Sequence, residues 1–93
     1  MKKPDITIFF NPSCPYCHKA LEFLAAQFPD ATLDAINLGD DYLKDKKRFS
    51  TELKKCGLES RGIPLIITDG ECFQGFDEKI ADAMRRRINS KVN

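Results

Sequence analysis

Two cysteines spaced as Cys14-Pro15-Tyr16-Cys17 constrain this chain more than any other feature. They follow the apolar, β-rich run Ile6-Thr7-Ile8-Phe9-Phe10, which reads as a buried strand. From Pro15 the pattern turns helical, with Ala20, Leu21, Leu24, Ala25 and Phe28 on one stripe. Both sulfurs are therefore expected at a strand-to-helix junction. A helix N-terminus presents unpaired N–H groups and about half a positive charge. Such a place favours thiolate, the reactive form of cysteine. A pair held there cycles between dithiol and disulfide with little backbone movement. The expected chemistry is thiol–disulfide exchange, with Cys14 as exposed nucleophile and Cys17, one turn inside the helix, as resolving thiol.

The remaining composition is consistent with that reading. A chain of 93 residues is expected to form one domain spanning 1–93. A formal net charge of +1 points neither to nucleic acid nor to a membrane surface. No apolar run approaches the roughly 18 residues of a membrane-spanning helix. Met1-Lys2-Lys3 imitates the start of a signal peptide, but Pro4 and Asp5 leave too short an apolar region behind it. A cytoplasmic location is expected. In that compartment four cysteines read as catalytic or metal-binding, not as a structural disulfide framework.

The rest of the chain alternates elements. Residues 31–38 read as a second strand. Gly39-Asp40-Asp41 opens a helix with an aspartate as N-cap, and Tyr42, Phe49, Leu53 and Cys56 trace its buried face. Gly57 fits its C-terminal cap. Ile63-Pro64-Leu65-Ile66-Ile67-Thr68 is a third strand, Asp69-Gly70 a two-residue hairpin turn, and Glu71-Cys72-Phe73-Gln74 the returning strand. Gly75 breaks it. A last helix over 76–90 carries Ile80, Met84 and Ile88 four apart. The order β-α-β-α-β-β-α implies one four-stranded mixed sheet with helices on both faces, an α/β fold.

Three segments together carry a resemblance: Cys14-Pro15-Tyr16-Cys17 after the first strand, Ile63-Pro64 before the third, and Gly75-Phe76 before the last helix. In these the chain resembles the glutaredoxins over nearly its whole length. The resemblance implies a thioredoxin-like fold, in which the proline matching Pro64 is cis and faces the cysteines. It implies glutathione as a co-substrate, with Tyr16, Arg61, Ile63, Pro64, Gly75, Phe76 and Asp77 as substrate-binding residues. Two positions depart from the family. Asn11 stands where a lysine is usual, and Gln74-Gly75 replaces a Gly-Gly pair; both features contact glutathione in the family. Gly75-Phe76 looks more like the redoxins that serve ribonucleotide reductase and take electrons from thioredoxin reductase. Glutathione and thioredoxin reductase both stand as electron donors, and disulfide-containing proteins as substrates.

Each motif also has a plainer reading. The two cysteines are half of a zinc site, but Cys56 and Cys72 lie sixteen apart in different elements and supply no second close pair. Cys14-x-x-Cys17-His18 matches the attachment motif of c-type haem. That would call for an export signal and a distal sulfur from Met84 or Met1, and Met84 lies on an apolar stripe. His18 is either a cation beside the thiolate or an exposed helix residue, the simpler reading. The backbone N–H groups at Gly75, Phe76, Asp77 and Glu78 either hold a substrate carboxylate, or Asp77 and Glu78 only complement the helix dipole. Arg61 is either a carboxylate ligand or a solvated loop residue. Cys56 and Cys72 read as unreactive packed cysteines. Lys44 to Arg48 and Arg85-Arg86-Arg87 read as solvated faces.

The resulting expectation is a small, monomeric thiol–disulfide oxidoreductase of electron transport and cell redox homeostasis. It needs no tightly bound cofactor and no metal, and meets neither nucleic acid nor membrane. The alternatives are a glutathione-dependent iron–sulfur module, in which Cys14 of two chains and two glutathiones hold a cluster, and a redox sensor.

Overall fold

Both faces of the first strand are apolar, and both are covered. The computed structural model describes residues 5–39, 42–60, 62–68 and 70–92. The elements run β1 (Ile6–Phe10), α1 (Pro15–Gln27), β2 (Leu33–Asn37), α2 (Tyr42–Cys56), β3 (Leu65–Thr68), β4 (Glu71–Gln74) and α3 (Glu78–Val92). They form one sheet in the order β2-β1-β3-β4. β1 is parallel to β2 and antiparallel to β3, and β4 returns antiparallel along β3. The expected α/β, thioredoxin-like fold is the one found.

Alternation along the strands divides the core between two layers. Ile6, Ile8 and Ile66 pack against Ala20 and Leu24 of α1, Phe28 at its C-terminal cap, and Met84 of α3. On the opposite face Phe9, Ile36 and Leu65 meet Phe49 and Leu53 of α2. Phe9 and Phe49 stack at a tilt with ring centroids 5.3 Å apart. Fully burying a side chain of this size contributes about 1.5–3 kcal/mol, so these residues hold the helices to the sheet. Arg48–Asp34, Arg85–Asp82 and Arg87–Glu71 pair on the surface, where such bridges add little.

Several expected boundaries move for local reasons. β2 begins at Leu33, two residues late, because Asp5 and Thr32 tie the incoming chain by side-chain bonds instead. Asp5 N–H donates to Thr32 Oγ1 at 2.7 Å, and Thr32 N–H to Asp5 Oδ2 at 2.9 Å. β3 begins at Leu65, since Pro64 has no N–H for the ladder. α3 begins at Glu78, because Asp77 serves as its cap: Ile80 N–H donates to Asp77 Oδ1 at 2.8 Å. Ala25, expected on the buried stripe of α1, is exposed. Gly57 closes α2 as expected, with φ +71° and its N–H donating to Lys54 O at 3.1 Å. Asp40, Asp41 and Asp69, and the side chains of Tyr42 and Ile88, lie outside the described residues.

One expectation is overturned. Cys56 and Cys72 are not separate packed thiols; they form a disulfide, with Cα atoms 6.0 Å apart. The chain therefore does carry a structural crosslink. The sixteen-residue separation hides the pairing, because α2 lies over the sheet and ends beside the edge strand β4. Among the described residues no helix is long and apolar enough to cross a membrane.

Candidate active site

The strand pairings bring three chain segments to one end of the sheet. β1 leaves the sheet at Phe10 and enters the loop to Cys14. The register Phe9 to Leu65 sets the start of β3, and Pro64 before it, beside that exit. The register Leu65 to Gln74 brings the end of β4 to the same place. Gly75 N–H then donates to Pro64 O at 2.8 Å, with φ +89° at Gly75, a conformation suited to glycine. The Ile63–Pro64 peptide is cis, as expected from the resemblance.

The loop before Cys14 is built by Asn11. Its Oδ1 accepts from Ser13 N–H at 3.0 Å and from Ser13 Oγ at 2.7 Å, a side-chain turn of the kind asparagine favours. Its carbonyl accepts from Cys14 N–H at 3.0 Å. His18 reaches back to the Pro12 carbonyl. That contact gives His18 a place in the loop, although the ring is exposed as the simpler reading held. The sequence reads Asn11-Pro12-Ser13 as a loop, and the side-chain turn of Asn11 is what gives that loop its shape.

Cys14 is the N-cap of α1, with extended backbone, and its Sγ accepts from Cys17 N–H at 3.3 Å. Cys14 is partly exposed; Cys17 is fully buried, and both are free thiols. The Cys17 thiol is pushed up from 9.0 to about 12. Burial is the main cause, the hydrogen bond with Cys14 the next, and the Asn11 backbone pulls the other way. The charge on Cys14 adds a smaller upward push.

The other expected site residues divide. Tyr16 projects into solvent, 58% exposed, beside the two sulfurs. Pro64 is fully buried and Ile63 half-buried against the α2 side of the core. Phe76 packs on Phe23 at 5.4 Å. The Asp77 carboxylate is turned onto its own helix end. Arg61 lies outside the described residues. A groove of about 670 Å³ runs from Tyr16 between α1 and α3, lined by Lys19, Phe23, Phe76, Glu78 and Arg85 among others. Phe23 and Arg85 had no place in the sequence-based site, because only the packing of α1 against α3 makes a groove of them. Gln74, in place of a family glycine, sends its Nε2 to Ser60 O at 2.7 Å and to Gly62 O at 3.0 Å.

No protein-family model matches the chain. It is 30% identical over 79 residues to a glutaredoxin-like 8.6 kDa protein in a rubredoxin operon of Clostridium pasteurianum, an alignment covering 85% of this chain and 95% of that one. Among solved structures it resembles a glutaredoxin from Archaeoglobus fulgidus, with a TM-score of 0.72, 19% identity, and 89% and 87% of the two chains covered. It also resembles a buckwheat glutaredoxin in complex with glutathione, with a TM-score of 0.70, 19% identity, and 95% and 78% covered. The structural likeness carries the fold, and the Clostridium relative carries the family: this chain belongs to the glutaredoxin-like proteins.

Proposed function

We propose that this chain is a thiol–disulfide oxidoreductase that reduces disulfides in proteins or mixed disulfides with glutathione. The observation that carries the reading is the placement of its free thiols. Cys14, partly exposed, caps α1, and Cys17 lies buried one turn behind it. Of the readings open from the sequence, exchange is the one this arrangement favours.

The steps follow from the two environments. The Cys14 thiolate attacks one sulfur of a substrate disulfide. The other sulfur leaves with the electron pair of the broken bond and takes up a proton. Cys17 holds its proton at this stage, so it does not compete. Two of the causes that hold it protonated come from Cys14 itself. Both are lost once Cys14 is tied up in a mixed disulfide, while burial, the largest cause, remains. Cys17 then attacks the Cys14 sulfur, and its proton passes to the departing substrate sulfur. The second substrate thiol is released, and a Cys14–Cys17 disulfide remains. Two glutathiones, or a thioredoxin reductase, return the pair to the dithiol.

Tyr16, Ile63, Pro64, Gly75 and Phe76 are the residues we assign to the bound substrate, with Arg61 and Asp77 as carboxylate-side candidates. The backbone at Ile63 offers an edge to which an extended substrate can add as a strand. The glutathione complex of the buckwheat relative supports glutathione as a co-substrate. The test is a reduction assay run in parallel with glutathione plus glutathione reductase and with thioredoxin reductase. Cys14→Ser is expected to lose all reduction. Cys17→Ser is expected to accumulate a mixed disulfide with protein substrates and to keep weak turnover of glutathione mixed disulfides. Full activity of Cys14→Ser would overturn the reading.

A further inference from the structure

The α2–β3 loop, which delivers Ile63 and Pro64 to the site, is fastened from one face of one strand. Cys72 and Gln74 are two residues apart on β4, so their side chains share a face, and Cys72 packs on the α2 side of the core. Cys72 is bonded to Cys56 at the last residue of α2, where the loop begins. Gln74 Nε2 holds Ser60 O and Gly62 O, at the middle and far end of the same loop. The amide lies so close over Gly62 that a Cβ there would meet Gln74 Cγ and Cδ at 3.4 Å. β4 is a sheet edge, so these side chains are its ties to the loop. Beyond Gln74, the Gly75 N–H takes the Pro64 carbonyl and completes the hold at the substrate end.

We propose that Gln74 and the Cys56–Cys72 disulfide are positioning residues for the exchange reaction: together they tie Ser60, Gly62 and the end of α2 to β4 so that the Ile63 backbone is held for an extended substrate beside Cys14. The inference rests on the oxidoreductase reading above. The clamp has a redox state of its own, separate from that of the free Cys14–Cys17 pair. An external dithiol opens it in two steps. One dithiol sulfur first forms a mixed disulfide with Cys56 or Cys72, releasing the other as a thiol. The second dithiol sulfur then displaces the protein sulfur. Two electrons and two protons pass to the protein, and the reagent leaves as a cyclic disulfide. Gln74 is then the remaining tie from this face.

The test compares wild type, Gln74→Glu, Gln74→Ala and the double variant Cys56→Ser with Cys72→Ser. Gln74→Glu keeps shape but cannot donate, so it should behave as Gln74→Ala. Loss of a neutral hydrogen bond changes an equilibrium roughly two- to tenfold, and KM for a peptide disulfide should rise by that order with kcat held. The alkylation rate of Cys14 should not change. Amide hydrogen exchange should quicken in 57–63 and at Gly75 while β1 and α1 stay as in wild type. Gln74→Glu with wild-type KM, or unchanged exchange in that loop in every variant, would overturn the clamp. A fall in kcat with KM unchanged would overturn the positioning role. If the wild-type chain reduces no disulfide, the functional reading fails instead, and exchange alone decides the clamp. Should the double variant not fold, the two Gln74 variants decide it.

Discussion

The Cys17 backbone N–H points at the Cys14 sulfur from 3.3 Å, while the Cys17 thiol itself is wholly buried. One turn of helix thus gives two cysteines opposite surroundings. Brief treatment of the reduced protein with iodoacetamide at neutral pH should label Cys14 and spare Cys17. Peptide mass spectrometry reads the result. Equal labelling of both would show that burial does not separate their reactivity.

Cys17 should leave a mark on stability against pH. Its thiol ionises at about 12 in the folded chain against an ordinary 9.0. Between these values the unfolded chain has lost the proton and the folded chain has not. The unfolded state then binds fewer protons, so stability falls as pH rises. The contribution is complete below 9.0 and gone by about 12. Urea unfolding of the reduced protein on either side of pH 9.0 should show a steeper decline than Cys17→Ala. Parallel declines would refute the assignment.

Asp77 can be tested as a cap apart from any substrate role. Its side chain accepts from Ile80 N–H at 2.8 Å. Asp77→Ala should cost about 1 kcal/mol, and Asp77→Asn much less, since asparagine caps nearly as well. A denaturation midpoint for each variant checks this. An Asp77→Asn variant that is stable but binds glutathione poorly would assign the charge to the ligand.

Met84 is fully buried and joins α3 to the sheet through Ile6, Ile8 and Ile66. Met84→Ala should lower stability by about 2–5 kcal/mol. Measured by urea unfolding, a loss under 1 kcal/mol would mean that α3 contributes little to the core.

Opening the Cys56–Cys72 bond should also destabilise the chain. Closing a loop of about this length restricts the unfolded state by roughly 3 kcal/mol in the chain-entropy account. The double serine variant should unfold at lower urea than wild type, with Cys14 alkylated in both. An unchanged midpoint would mean that the bond does not restrict the unfolded chain.

The sequence alone determined the order of elements and the place of the two free cysteines. Those depend on neighbours in the chain: the apolar run before Asn11, the helical stripe through Ala20, Leu24 and Phe28, the glycines at 57 and 75. It also placed Asn11 in a loop and Gln74 at the end of a strand, and otherwise marked both only as missing family features. What they do was decided by the fold. Asn11 builds a turn of its own, and Gln74 spans to carbonyls twelve and fourteen residues away. The Cys56–Cys72 bond was out of reach for the same reason. Sequence spacing says nothing about two sulfurs on different elements until α2 is packed on the sheet and ends beside β4. Local pattern encodes secondary structure through short-range sterics and hydrogen bonds. Contacts between distant residues exist only after the apolar faces have been buried against one another.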